Sequence, residues 1–436
     1  MSVSWTGPSS RARSSNCWPN ERWDPRMRVR LSASAFALLI SVAATAAAQS
    51  GRFDYPQWRG PHRDGGASGF VEPSAWPAAL TRQWTAAVGQ GYATPLVIGD
   101  RVFVFTRRND DEMLTALDAE TGSVLWQSTY AAPYDMFEAT AVHGPGPRAT
   151  PLFVDGKLFT LGISGIVSAF DADNGRLLWQ MPRPAEQPFY GTASSPAADG
   201  NLIFVHTGNY DGLTAFDRDN GAVAWRTAGT FTYSSPLIVE LDGVRQVVSV
   251  SQDHVVGLSA HDGVVLWAYP FASPYMRAIT PIEHAGRIIV SAQNMGVRAL
   301  RPRRERSGWT VETAWRNDDV STAMTNPVVV ADTLFGLSER RRGQFFALDA
   351  DTGMTVWLGP PRQAENTAIV KAEQLLFLLN DDAELIVARA SRAGFEPIAR
   401  YTVADSPTWA QPAISGNRFF VKDVDTLTLW TMSPAP

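Results

Sequence analysis

Short runs of alternating apolar and polar residues, separated by turns that contain Gly and Asp, fill the chain from about residue 80 to its end. Such alternation predicts β-strands, because successive side chains of a strand point to opposite faces of the sheet. The most regular run, residues 116–126 (ALDAETGSVLW), predicts two strands joined by a tight turn. Asp118 can accept hydrogen bonds from the turn amides, and Gly122 can adopt the positive φ that closes the turn.

This hairpin recurs with a constant spacing between its Gly and its Trp. Further copies occupy residues 171–179, 217–225 and 349–357, and a weaker copy that begins with Ser instead of Asp covers residues 259–267. Repetition at a period of 20 to 50 residues is typical of propellers and solenoids. The closing tryptophans follow one another at intervals of 42 to 53 residues, at Trp84, Trp126, Trp179, Trp225, Trp267, Trp315 and Trp357.

A strand that opens with proline precedes most hairpins, and the first residue of a strand is a position that tolerates proline. Residues 411–432 supply only inner strands, whereas residues 80–88 form an outgoing strand without a hairpin partner. Pairing the two predicts an all-β, eight-bladed propeller of four-stranded antiparallel blades, with one blade shared by both chain ends. Closure of this kind removes exposed strand edges. We therefore assign residues 80–436 to the propeller.

The Asp-x-x-Thr/Asn-Gly-x-x-x-Trp hairpins resemble the repeats of pyrroloquinoline quinone (PQQ)-type β-propellers over about residues 80–432. Residues 56–65 (PQWRGPHRDG) and 146–151 (GPRATP) resemble segments of exported bacterial PQQ-binding-like β-propeller repeat proteins. The resemblance implies the propeller fold. It does not fix the cofactor, because similar blades build the non-enzymatic propeller lipoprotein of outer-membrane protein assembly.

Residues 1–48 have the features of an N-terminal extension followed by a signal peptide, with Met27 as the expected true start. A basic start is followed by an apolar run, residues 34–44, that is short for a membrane span, and then by three alanines suited to cleavage. The alternative is a disordered cytoplasmic arm before a membrane anchor. The signal peptide predicts a periplasmic or secreted protein without a transmembrane span after cleavage.

Cysteine and charge narrow the possible functions. Cys17 lies within the part that we expect to be removed, so the exported chain has no disulfide, thiolate metal site or lipobox cysteine. The chain carries 38 Lys and Arg against 43 Asp and Glu, and the first 48 residues are basic. The exported part is therefore acidic, which argues against nucleic acid as a partner. We expect a monomer.

Residues 49–79 lack a regular pattern and are rich in Pro, Gly and aromatic residues. We expect them to form an irregular arm across the propeller. Tyr55 and Trp58 are the predicted anchors, and Arg59 is a predicted ion-pair partner of Asp64.

Loops that enter the innermost strands of a propeller gather at one mouth of its central channel, where ligands usually bind. The irregular residues before the opening prolines are therefore the candidate contacts for a protein or small-molecule ligand. An aromatic and cationic rim suits a planar anionic ligand through stacking and bidentate contacts to arginine. The alternative is that these side chains plug the channel and cap strand ends. The candidates are Tyr92, His143, Arg148, Tyr190, Tyr233, Tyr275, Arg277, Asn326, Trp409 and Gln411.

A second functional alternative is a PQQ-dependent (quinoprotein) dehydrogenase that oxidises an alcohol or a sugar. That chemistry needs a carboxylate base and usually Ca²⁺ beside the quinone. The resemblance also implies adjacent cysteines above the cofactor, and the exported chain has none. The histidines show no metal-ligand spacing. We therefore predict a non-catalytic binding or scaffold protein with no assigned catalytic or metal residue, and keep PQQ with Ca²⁺ as the alternative cofactor.

Overall fold

The computed structural model describes residues 53–185, 190–208, 212–228, 232–273 and 278–432. The predicted signal peptide and the first residues of the predicted arm lie outside these ranges. The described residues form eight four-stranded sheets, each of which we call a blade. None of the helices in these ranges has the length and apolar character needed to cross a membrane.

The first four blades take their strands in chain order. Blade 1 contains β2 (Leu96–Ile98), β3 (Arg101–Arg108), β4 (Asp111–Asp118) and β5 (Val124–Ala131). Blade 2 contains β6 (Leu152–Val154), β7 (Lys157–Leu161), β8 (Val167–Asp171) and β9 (Leu177–Met181). Blade 3 contains β10 (Ala197–Asp199), β11 (Leu202–His206), β12 (Leu213–Asp217) and β13 (Val223–Arg226). Blade 4 contains β14 (Leu237–Leu241), β15 (Val244–Val250), β16 (His254–Ser259) and β17 (Val265–Pro270).

The last four blades complete the ring. Blade 5 contains β18 (Ile282–His284), β19 (Arg287–Ser291), β20 (Val297–Glu305) and β21 (Gly308–Asn317). Blade 6 contains β22 (Val328–Val330), β23 (Thr333–Ser338), β24 (Gln344–Asp349) and β25 (Thr355–Pro361). Blade 7 contains β26 (Thr367–Ala372), β27 (Leu375–Asn380), β28 (Glu384–Arg389) and β29 (Glu396–Thr402). Blade 8 contains β30 (Ala413–Ser415), β31 (Arg418–Lys422), β32 (Thr426–Thr431) and β1 (Thr81–Ala87), and two short 3₁₀ helices span Glu138–His143 and Arg340–Arg342.

Blade 8 confirms the predicted closure of the ring. Its strand order is β1-β32-β31-β30, so the first strand of the chain is the outer strand of the last blade. The pairing is antiparallel and runs from Thr81 opposite Thr431 to Ala87 opposite Thr426. The eight-bladed, all-β propeller is therefore confirmed.

The hairpin turns have the hydrogen bonds that their sequence predicts. Asp118 Oδ1 accepts from the Thr121 amide at 2.8 Å and from the Thr121 hydroxyl at 2.9 Å. Gly122 has φ 71° and donates its amide to the Asp118 carbonyl. The carboxylate of Asp349 makes the same contacts with Thr352. The repeated Asp and Gly thus define the turn geometry.

The repeated tryptophans join neighbouring blades. In five blades the indole Nε1 donates to a main-chain carbonyl at the hairpin turn of the next blade. These bonds join Trp84 to Ala119, Trp126 to Ala172, Trp179 to Arg218, Trp315 to Ala350 and Trp357 to Ser391, at 2.8 to 3.3 Å.

Trp267 is an exception with a clear cause. The next hairpin, between β20 and β21, is extended and lacks the Asp-Gly turn that would receive the indole. Trp267 instead donates to Gln246 Oε1 at 2.8 Å within its own blade. It also packs on Gly257, where an added β-carbon would lie 2.1 Å from the indole nitrogen.

The core lies between adjacent blades and not in one central mass. One buried cluster contains Phe159 and Trp179 of blade 2 together with Phe216 of blade 3. The arm, residues 53–79, adds to two further clusters through Tyr55 and Phe70. The ring is therefore stabilised by burial of apolar surface at successive blade interfaces.

The arm crosses the central channel, because it bonds to the innermost strand, or the residues leading into it, in all eight blades. Tyr55 and Trp58 anchor it, as predicted: Tyr55 is fully buried, and Trp58 Nε1 donates to Thr280 Oγ1 at 2.9 Å. Further arm contacts, one or more for each other blade, join Tyr55 to Val97, Pro56 to Phe153, Arg63 to Pro196 and Pro236, Arg59 to Pro327, Ala67 to Lys371 and Ser68 to Gly416.

The predicted ion pair between Arg59 and Asp64 is wrong. Asp64 pairs with Lys371, with 2.8 Å between Oδ2 and Nζ. Arg59 is fully buried and donates to the carbonyls of Arg63 and Pro327 at 3.1 and 2.7 Å. The guanidinium lies inside the channel, where the carbonyls of strand ends are the available acceptors.

Candidate binding mouth of the central channel

Small polar residues before the opening prolines link neighbouring blades. The amide of one such residue donates to the side-chain oxygen of its equivalent in the next blade, at 2.8 to 3.1 Å. The pairs are Thr94 with Thr150, Thr150 with Ser195, Ser195 with Ser235, and Thr280 with Asn326. Thr, Ser or Asn therefore stands before proline because its side-chain oxygen accepts a hydrogen bond from a buried amide of the preceding blade.

Two predicted site residues belong to this structural network. Asn326 accepts from the amide of Thr280 and donates to the carbonyl of Met324. Gln411 donates to the carbonyl of Ile369 at 3.0 Å. Both side chains are buried. Their contacts agree with the alternative in which the residues before the prolines plug the channel and cap strand ends.

Six other predicted residues gather at the mouth where the chain enters blade 8 and blades 1 to 4, and we call them the mouth cluster. His143 links two rings, with centroids 6.2 Å from Tyr92 and 4.6 Å from Trp409 in edge-to-face geometry. Tyr190 and Tyr233 have centroids 5.9 Å apart. Edge-to-face and tilted aromatic pairs of this kind are favourable. The members are Tyr92, His143, Arg148, Tyr190, Tyr233 and Trp409.

Arg148 is the cation of the mouth cluster. Its Nη1 donates to the Tyr190 carbonyl at 2.5 Å. Its Nε and Nη2 are buried and have no hydrogen-bond partner among the described residues. Burial lowers the pKa of Arg148, and electrostatic interactions with Tyr134, Tyr233 and Tyr92 oppose that shift. Arginine stays protonated at neutral pH, so two charged donor nitrogens beneath the mouth lack an acceptor among the described residues.

His143 contributes an uncharged ring. Burial and the charge of Arg148 lower its pKa below the usual 6.5, and Glu365 opposes the shift. The imidazole is therefore neutral at neutral pH. The positive charge of the mouth cluster comes from Arg148.

Comparison with known proteins identifies the family. A family model described as outer membrane protein assembly factor BamB matches residues 81–141 and 110–358. The chain belongs to this family. BamB of Moranella endobia is 23% identical over 194 residues, which cover 44% of this chain and 46% of that protein. The chain spans about half the length of the curated BamB relatives it matches.

Solved structures agree with the propeller fold. BamB of Moraxella catarrhalis has a TM-score of 0.62 and 16% identity, covering 81% of this chain and 98% of that protein. The quinohemoprotein alcohol dehydrogenase of Comamonas testosteroni has a TM-score of 0.64 and 13% identity, covering 91% and 83% respectively. At these identities the likeness concerns the fold, which BamB proteins and quinoprotein enzymes share.

Sequence reasoning missed three side chains at the mouth of this BamB-family chain. Tyr134, whose hydroxyl is buried without a partner among the described residues, interacts electrostatically with Arg148. Glu365 interacts with His143, and Asp423 with Tyr92. The candidates were the irregular residues a few positions before each opening proline. None of the three lies at such a position.

Two predicted site residues, Tyr275 and Arg277, lie outside the described residues. Within the described ranges of this BamB-family chain, no group of three or more His, Cys, Asp or Glu side chains is arranged to hold a metal ion. The mouth cluster offers aromatic rings and a guanidinium to a planar ligand.

Proposed function

We propose that this BamB-family chain is an exported, non-catalytic scaffold that binds a partner protein at the mouth cluster. The observation that carries the proposal is Arg148, which keeps two buried donor nitrogens without partners among the described residues, beside the aromatic rings of the mouth cluster. A buried donor without an acceptor costs about 1–3 kcal/mol, and a ligand acceptor would recover that free energy.

The chemistry of the mouth cluster favours an anionic group on the partner. A carboxylate can accept from Nε and Nη2 of Arg148 together, since the guanidinium presents these donors as a fork. The rings of Tyr92, Tyr233 and Trp409 can pack against the atoms that carry the carboxylate. We infer that the partner inserts an acidic side chain or a chain terminus into the mouth.

The family supports the class of partner and the compartment. Relatives bear the name outer membrane protein assembly factor, so we propose a partner from that assembly on the periplasmic side of the outer membrane. The predicted signal peptide agrees with this location.

The test uses tagged wild-type protein and two variants to capture partners from the native envelope. Arg148→Met removes the donor fork at the mouth, and Arg245→Met, at the far end of the blade 4 inner hairpin, is the matched control. Proteins identified by mass spectrometry should be retained by the wild type and by Arg245→Met and be lost from Arg148→Met. Equal retention by both variants, with unchanged melting temperatures, would contradict the proposal.

Glu365 and Asp423 keep the dehydrogenase as a second candidate, because they bring carboxylates near the mouth cluster. That candidate expects PQQ, supplied with Ca²⁺, to be retained through gel filtration and to reduce a dye with alcohols or sugars. Glu365→Gln should then abolish dye reduction without loss of bound quinone. The scaffold proposal expects no retained quinone and no dye reduction.

A further inference from the structure

The arm places two arginine side chains inside the channel. Arg59 has no exposed surface, and Arg63 is 6% exposed. Arg63 donates to the carbonyls of Pro196 and Pro236 at 2.8 and 3.0 Å, and Arg59 Nε donates to the carbonyl of Arg63 at 3.1 Å. The two side chains are therefore neighbours among the inner strand ends of the ring.

Neither charge forms an ion pair with a carboxylate among the described residues, although Asp64 interacts electrostatically with Arg59. Asp64 forms its ion pair with Lys371, and within the described residues neither Arg59 nor Arg63 forms a salt bridge. Burial lowers the pKa of Arg63, and the charge of Arg59 lowers it further. Burying an unpaired charge is expensive, and neutral carbonyls recover only part of its lost solvation.

Each guanidinium also keeps one free donor. Arg59 Nη1 and Arg63 Nε are buried and have no hydrogen-bond partner among the described residues. Planar oxyanions are frequently bound by a fork of two donors on one guanidinium. One donor from each of two arginines instead suits a small spherical acceptor.

A recess reaches Arg63, and Arg59 lies behind it, bonded to the Arg63 carbonyl. It has a volume of about 630 Å³ and lies between the arm and the inner strands of blades 4 to 7. Its walls include the basic residues Arg63, His284 and Lys371 and the acidic residues Asp64, Glu240 and Glu283. Glu240 and His284 lie at the ends of their inner strands away from the opening prolines, and no member of the mouth cluster lines the recess.

We propose that Arg59 and Arg63 bind a small monovalent anion of the chloride class inside the channel, and that the anion enters through this recess. The bound anion neutralises part of the buried charge and accepts the two free N–H donors. It thereby stabilises the arm in the channel. The site is independent of the partner proposed for the mouth cluster.

Thermal unfolding of the purified protein in sodium chloride and in sodium gluconate at equal ionic strength tests the proposal. Chloride at ten times its dissociation constant should raise the melting temperature of the wild type by about 2 °C. Arg245→Met, which alters an exposed arginine of the same recess, should keep this rise. Arg63→Met should lose it.

Bromide diffraction decides the question even if Arg63→Met does not fold. Wild-type crystals soaked in sodium bromide should show an anomalous peak within hydrogen-bonding distance of Arg59 Nη1 and Arg63 Nε. The absence of a peak at this position, or a melting temperature equal in chloride and gluconate, would overturn the proposal.

Discussion

The indole of Trp179 lies against the backbone of Gly221 in the next blade, so closely that a β-carbon on Gly221 would be 2.8 Å from the ring. Trp179 also donates to the carbonyl of Arg218 at 3.0 Å in the same turn. Gly221 has φ 75°, a conformation that glycine adopts without strain. One pair of repeated residues thus fixes both the turn and the distance between two blades.

Replacing Trp179 with Ala should destabilise the protein strongly. The side chain is buried in the cluster between blades 2 and 3, and its removal loses apolar burial and leaves a cavity. We expect a loss of about 3–5 kcal/mol in the free energy of unfolding, measured by urea denaturation. Leu177→Ala, at a position 43% exposed on the same strand, is the control and should cost less than about 1 kcal/mol. A change within experimental error for Trp179→Ala would show that it does not lock the blades.

Deleting residues 80–88 should prevent closure of the ring. The deletion removes β1 and exposes the edge of β32, Thr426–Thr431, which is otherwise paired along its length. Exposed strand edges promote association. We expect aggregates or oligomers by size-exclusion chromatography with light scattering, and recovery of monomer when a peptide of residues 80–88 is added. A soluble monomer without the peptide would refute closure by the two chain ends.

Glu112 should make the protein less stable as pH rises. Its carboxylate is fully buried, accepting from the Ile163 amide at 2.6 Å and the Tyr130 hydroxyl at 2.7 Å. Burial raises its pKa to about 7, although those two hydrogen bonds and the charge of Arg107 oppose the shift. Its contribution is therefore fully present below the unfolded pKa of about 4.5 and is lost as pH rises through 7.

Glu112→Gln isolates this effect, because an amide resembles the protonated carboxyl and does not titrate. Between pH 4.5 and 8, wild type should lose about 3 kcal/mol of stability relative to the variant, by urea denaturation at each pH. Parallel pH profiles for the two proteins would show that Glu112 does not titrate in this range.

His206 should have the opposite pH dependence. The imidazole is buried, and its Nε2 lies 3.0 Å from Ser249 Oγ. Burial lowers its pKa to about 4. Its contribution is therefore present above the unfolded pKa of about 6.5 and is lost as pH falls through 4. The stability difference between wild type and His206→Gln, measured by urea denaturation, should shrink by up to about 3 kcal/mol on acidification from pH 7 to 4. A constant difference would contradict the prediction.

The repeats made most of the fold predictable, because hairpin turns and inter-blade tryptophans depend on local residues that recur. The path of the arm was harder to predict from the sequence, since a segment rich in Pro and Gly has no periodicity to indicate which surface it covers. The partner of Asp64 illustrates this limit: Lys371 is more than 300 residues away and comes near only when the ring closes. At the mouth, the position before a proline did not separate Arg148, which keeps donor nitrogens without a partner among the described residues, from Asn326, which caps a strand end.

Site-specific photocrosslinking in cells tests the central claim, that the mouth cluster is the binding face, most directly. A photoreactive phenylalanine would replace Tyr233 at the mouth or Glu240, which is exposed at the recess on the opposite face. We predict a covalent adduct with an envelope protein from position 233, its loss when Arg148→Met is added, and none from position 240. An adduct from position 240 and none from position 233 would contradict the account.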